Sequence, residues 1–347
     1  MHLVKKFLIL VIVVVAFLII YNLIKSRQTN KLKYAKEKQE LKEEGFESPG
    51  VSISSLPEKY LSLPIREFIV KSSYNTAINE ANIADKAQIQ NLLKRGCRLI
   101  DFEIYTRNEI EYVSYSEDPE YQSTDTKNES NNRLSLANAF TTAIGYAFSE
   151  PAPSPNDPLF VSLRIKNNSA EAYSRIATLI DNNFKNKLYK GEVNRETQLK
   201  KIMGKVIIIL DTTSSPDYKK LIKCPSSPCF KLSDYVNMEA GSVQFPKYTY
   251  ANLDTLPQKS VMPDANGLKT NIVSFNMITP AQMDQLKPPE PEEILFKLYP
   301  QFLLYKFYKK SDELTAYENI FNESQTSLVP VSTVVLKERK RNSARGT

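Results

Sequence analysis

The 347-residue chain has a single histidine, His2, so chemistry in its folded part must proceed without an imidazole acid, base or metal ligand. Three cysteines, Cys97, Cys224 and Cys229, are too few for a disulfide-built secreted scaffold. In Cys224-Pro-Ser-Ser-Pro-Cys229 four residues separate the thiols and no further Cys or His is at hand, which is poor zinc spacing. In a reducing compartment both are expected as free thiols. No internal repeat stands out. Disorder throughout is excluded by 41% hydrophobic and 10% aromatic residues against 24% charged. That leaves one large domain or two small ones, with a real core in either case.

The net charge of +7 is unevenly spread. Residues 1–38 carry eight basic groups against Glu37, and residues 337–347 carry five against Glu338. Residues 39–336 are therefore net acidic. A nucleic-acid-binding domain carries its positive charge on the folded surface. Here the surplus sits on the flanks, so no nucleic-acid partner is expected.

Residues Phe7–Ile24 form an uncharged run whose length at helical rise, about 27 Å, approaches a bilayer core. The flank YNLIKSRQTNKLK offers no small-x-small cleavage site, so residues 1–24 are expected to be an uncleaved, single-pass membrane anchor. The Lys/Arg excess after the span favours the C-terminal bulk in the cytosol or an equivalent interior, in a cellular or viral membrane. The same basic stretch would lie against anionic headgroups. Sequons at Asn128, Asn167 and Asn322 point mildly to the opposite topology. Nothing in the sequence fixes an oligomeric state.

Residues 25–50 read as a charged stalk ending at Gly45 and Pro49. Strand and helix patterns then alternate. Strands are expected at 65–72, 97–105, 111–116, 159–165 and 205–211, and helices at 83–96 (stopped by Gly96), 134–149 and 169–188. Continuous apolar strands separated by helices favour a parallel sheet covered on both faces. Beyond 215 the pattern thins, and 294–308, 312–321 and 328–336 close the domain. Residues 337–347 read as a basic tail.

Four segments recur in a recognisable order: Ser72-Ser73-Tyr74-Asn75-Thr76, Arg95-Gly96-Cys97-Arg98-Leu99-Ile100-Asp101-Phe102-Glu103, Ala143-Ile144-Gly145-Tyr146-Ala147-Phe148 and Pro158-Leu159-Phe160-Val161-Ser162-Leu163. Together they resemble the X half of the eukaryotic-type phosphatidylinositol-specific phospholipase C barrel. The resemblance covers 64–211, with a degenerate Y-like match at 294–336, inside a barrel spanning 51–336. It implies an α/β fold, a distorted TIM-like (β/α) barrel with chemistry at the C-terminal ends of its strands. In that family two histidines move protons and calcium neutralises the developing charge on the phosphodiester.

Carried over residue by residue, the first family histidine falls on Tyr74 and the second on Asp118. Asn75, Asp101 and Glu103 match calcium ligands, with the order of the two strand carboxylates exchanged. The last calcium ligand becomes Arg164, and a substrate-binding lysine falls on Ile209. Losing one positioned acid or base typically costs 10²–10⁴-fold, and here both are absent. Tyrosine titrates near pH 10 and is a poor neutral-pH base. Arg164 either pairs with Asp101 or Glu103 in a plain salt bridge or replaces the metal in a phosphate pocket whose candidate members are Asn75, Asp101, Glu103 and Arg164 itself.

Three functional expectations follow. The first is an anchored, degenerate barrel without a working cofactor site, retained for binding an anionic or inositol phospholipid or for a structural membrane role. The second is a divergent phosphodiesterase using Asp118 or Glu117 with Arg164 in place of histidines and calcium. The third is a scaffold or assembly protein that keeps only the fold and binds partners through its basic tail.

Overall fold

The computed structural model describes residues 53–115, 132–223, 229–281 and 288–345. The chain divides into two units, 1–50 and 51–347, of which the second is described. The apolar run, the stalk and Asp118 lie outside the described residues. Among the described residues no helix is long and apolar enough to cross a membrane.

Among the described residues eight parallel strands form the frame, in hydrogen-bonded order β7-β6-β5-β2-β1-β10-β9-β8. They are β1 (Phe68–Tyr74), β2 (Leu99–Arg107), β5 (Leu159–Ile165), β6 (Val206–Asp211), β7 (Met238–Ala240), β8 (Lys247–Thr249), β9 (Met277–Thr279) and β10 (Phe302–Lys306). Antiparallel additions are β3 (Ile110–Ser114) on β2, β4 (Leu134–Ser135) on β3, and β11 (Leu328–Pro330) on β1. Among the described residues six α-helices accompany them: α1 (Lys86–Lys94), α2 (Leu136–Ala147), α3 (Ala170–Phe184), α4 (Pro291–Leu298), α5 (Asp312–Ser324) and α6 (Val331–Arg345).

Alternation along each strand builds the layers. Phe68, Val70, Leu99, Phe160, Ile207, Ile209, Met238, Met277, Phe302 and Leu304 form one buried cluster. Met238 of β7, at one end of the hydrogen-bonded path, and Met277 of β9, next to the other end, can share a cluster only if the sheet curls on itself, and the result is a near-closed barrel. The intervening residues point outward. Ile100, Phe102, Val161, Leu163, Ile208 and Leu210 pack with residues of α1–α3, and Ile69, Ile278, Leu303 and Tyr305 with residues of α4–α6.

Helix starts follow side-chain caps. Asp85, Ser135, Ser169 and Ser311 each accept a backbone N–H at the first turn of α1, α2, α3 and α5. Helix α1 stops where expected: Gly96 has φ +82°, and a Cβ there would meet Ile53 Cδ1 at 2.7 Å.

Several expectations are refined by the fold. The helix read from 134 begins at Leu136, because Leu134 and Ser135 pair with β3 first. Residues 294–308 divide into the end of α4 and β10, separated at Tyr299 in the left-handed region (φ +45°). The segment read as a basic tail continues α6 through Arg345. It is docked on its own domain: Lys337 and Arg341 pair with Glu292 at 2.8 and 3.0 Å, and the Tyr299 hydroxyl donates to Glu338. Cys229 is disulfide-bonded rather than a free thiol, whereas Cys97 is free and buried.

Candidate functional site

The parity that buries the barrel core also aims polar side chains into its C-terminal end. On β2, Ile100, Phe102 and Ile104 face outward, so Asp101 and Glu103 turn inward beyond Leu99. Strand β5 lies beside it in register, with Asp101 opposite Ser162 and Glu103 opposite Arg164. Strand β1 ends on Tyr74 and turns through Asn75, whose φ of +46° is a left-handed conformation that asparagine tolerates better than most residues. Tyr74, Asn75, Asp101, Glu103 and Arg164 are thereby brought together, each at most 7% exposed.

Arg164 is the hub. Its Nε donates to both Asp101 oxygens at 3.2 Å, and one terminal nitrogen donates to Asp101 Oδ2 at 2.9 Å and to Asn75 Oδ1. The other donates to Glu103 Oε2 at 2.8 Å and to the Tyr74 hydroxyl at 3.2 Å. The guanidinium carbon also stands 4.4 Å from the Tyr74 ring centroid. A guanidinium has five N–H donors, and these contacts occupy all of them. Asp101 additionally accepts from the Asn75 amide and from Ser162 Oγ, each at 3.0 Å, and Glu103 accepts from the Tyr105 hydroxyl.

The electrostatics follow from this arrangement. Burial works against the Arg164 charge, but Asp101, Tyr74 and Glu103 outweigh it and hold the group cationic well above its ordinary range. Burial pushes the Tyr74 phenol far up despite the neighbouring guanidinium, so it is not a base at neutral pH. The Lys166 ammonium is shifted down, mainly by burial, with Glu103 opposing and Arg164 reinforcing. Calcium requires six to eight oxygens, and here the oxygens of Asp101, Glu103 and Asn75 face a fixed cation instead. These residues do not fit a divalent metal. Among the described residues no group of three or more His, Cys, Asp or Glu is placed to hold one.

Further members of this end escaped the sequence reading. Asp211 closes β6 and pairs with Lys247 of β8 at 2.5 Å, with Thr213 Oγ1 donating to the same carboxylate at 2.6 Å. Burial raises the Asp211 carboxyl, but Lys247 and Thr213 outweigh it and hold the group below its ordinary range. Lys306, buried at the end of β10, lies in register with Tyr74. The parity of Ile207, Ile209 and Asp211 along a continuous apolar strand was the available signal for Asp211. Ile209, where the resemblance puts a substrate-binding lysine, is a fully buried part of the barrel core. Asp118 and Glu117 lie outside the described residues.

Residues 61–211 match the family model for the phosphatidylinositol-specific phospholipase C X domain. No curated protein matches the chain in sequence. Among solved structures, PLC21 of L. pealei and PLC21 of S. officinalis are each similar with a TM-score of 0.53 and 11% identity, over 78% of this chain and 37% of the other. The likeness is therefore one of fold, and the chain spans well under half the length of either protein. The matched segment and the likeness of fold agree: residues 61–211 are similar to the X domain of phosphatidylinositol-specific phospholipase C.

Proposed function

We propose that this phospholipase C-like barrel is catalytically silent toward phosphoinositides, works without calcium, and serves as a binding or structural component at a membrane. The carrying observation is Arg164: all five of its donors are spent on Asp101, Glu103, Asn75 and Tyr74. A guanidinium neutralised in this way has no fork left for a phosphodiester. With no histidine beyond His2 and the Tyr74 phenol held protonated, proton transfer at neutral pH has no agent among these residues. The apolar run Phe7–Ile24 supports attachment to a membrane, with the folded unit beyond it exposed to anionic or inositol phospholipids.

The test is direct. The full chain is incubated with phosphatidylinositol and with a generic bis-aryl phosphodiester, in calcium and in chelator. No turnover above buffer is expected in any of the four mixtures. Turnover that Arg164→Ala abolishes would establish the divergent phosphodiesterase instead. Flotation of the full chain with phosphatidylcholine vesicles that survives high salt is the expected signature of the anchor.

A further inference from the structure

The segment joining α3 to β6, residues 185–205, carries seven basic side chains against two acids, Glu192 and Glu196. It belongs to the end of the barrel opposite the site. The Lys187 carbonyl and Tyr189 amide bond to Val206 at the start of β6, and the amides of Leu199 and Lys200 bond to the carbonyls of Leu63 and Leu61, just ahead of β1. Lys185, Lys187, Lys190, Lys200 and Lys201 are exposed. Among the described residues, no carboxylate pairs with Lys187, Lys190, Lys200 or Lys201. Glu196 is already engaged by Arg66 and Arg195. At the site end the balance differs: Lys219, Lys220 and Lys223 pair with Glu239, Asp217 and Glu171.

Lysines that no carboxylate pairs, concentrated at one end of the barrel, call for an anionic counterpart, although Lys187 also lies over the Phe148 ring at 5.1 Å. The chain itself indicates which. It enters the folded unit at this same end, with Ser54 bonded to Gln325 at the foot of α5 and Leu61–Ile65 running beside residues 197–200. The sequence just before carries the apolar run and its basic flank. A single-stranded nucleic acid would favour exposed aromatics for base stacking, and the segment's sole aromatic, Tyr189, is half-buried. We infer that the lysine-rich end of the barrel, centred on Lys187, Lys190, Lys200 and Lys201, rests on the anionic headgroups of a membrane leaflet and turns the Arg164 end away from lipid. This rests on the membrane reading above.

The experiment measures hydrogen exchange of the full chain on phosphatidylcholine vesicles with and without phosphatidylserine. Peptides covering 185–205 are expected to gain protection only with phosphatidylserine, and to lose it in high salt. Each surface lysine contributes roughly fivefold to engagement of an anionic leaflet, so three contribute about a hundredfold together. Lys190→Glu/Lys200→Glu/Lys201→Glu is therefore expected to return exchange in 185–205 to its phosphatidylcholine rate, with an unchanged melting temperature. Three results overturn the inference: equal exchange on both vesicle types, protection that survives the triple reversal, or protection of 107–111, 217–223 and 241–246 at the site end instead. Tighter binding of the same segment to duplex DNA than to the vesicles overturns it as well. Flotation on pure phosphatidylcholine reports the anchor and lipid turnover reports the site, so failure of the broader reading registers separately.

Discussion

Replacing Arg164 with methionine keeps much of its bulk while withdrawing the guanidinium that bonds to Asp101, Glu103, Asn75 and Tyr74. Asp101 and Glu103 are almost wholly buried, so the loss cannot be made good by water. Breaking a buried pair from one side costs about 3–5 kcal/mol, chiefly because the other charge is left uncompensated. Against a typical domain stability of roughly 5–15 kcal/mol, that is a large fraction. At about 2–4 °C per kcal/mol for a large domain, the melting temperature is expected to fall by roughly 6–20 °C. Denaturant unfolding of wild type, Arg164→Met, Glu103→Gln and the double variant forms the cycle. Because Glu103→Gln removes one of the stranded charges, the double variant is expected to lose less than the two singles combined, with a coupling of about 1–3 kcal/mol. Arg164→Lys supplies charge without the planar fork and should fall between wild type and Arg164→Met. A cost below about 1 kcal/mol for Arg164→Met, or strict additivity in the cycle, would refute the view that this cluster is a structural ion network.

Other substitutions probe neighbouring parts of the same reasoning. Arg164→Glu adds a third carboxylate beside Asp101 and Glu103, a set that suits a hard cation. It should melt below wild type in chelator and regain stability in millimolar calcium, by up to about 2.7 kcal/mol at a hundred times the dissociation constant, while wild type shows no calcium shift in scanning fluorimetry. Glu318→Gln should cost about 3 kcal/mol in denaturant unfolding, since Lys71, fully buried, and Arg95 both rely on that carboxylate. Lys247→Met tests Asp211 through pH. The folded carboxyl is held below its ordinary range, so the pair's contribution is complete above about pH 5 and fades as pH falls through the depressed value. The stability gap between wild type and Lys247→Met, about 2 kcal/mol at neutral pH, should close below about pH 4.

What the sequence disclosed, and what it hid, divides along physical lines. Long strands announce themselves, because β1, β2, β5 and β6 supply enough residues for apolar runs to register, and the helices between them carry caps at Asp85, Ser135 and Ser169. Strands β7, β8 and β9 are three residues each, too short for any period to be read, and the wall they form is set by contacts distant in the chain. The site follows the same rule. Tyr74, Asp101, Glu103 and Arg164 sit on long strands, with Asn75 in the turn that follows β1, at or beside positions the ordered motifs already marked, and strand parity alone turns both carboxylates of β2 inward. Lys247 hides on a short strand, and its link to Asp211 spans 36 positions. The fate of Arg164 was legible only as a choice between a phosphate fork and a salt bridge. Three-dimensional saturation favours the salt bridge, since a guanidinium with five partners already in place would have to surrender strong, buried hydrogen bonds before it could offer any to a ligand. Arg164 is a covalently tethered cation that Asp101 and Glu103 stabilise from buried positions, so those carboxylates already hold their counter-ion and the cluster helps to keep the end of the barrel together.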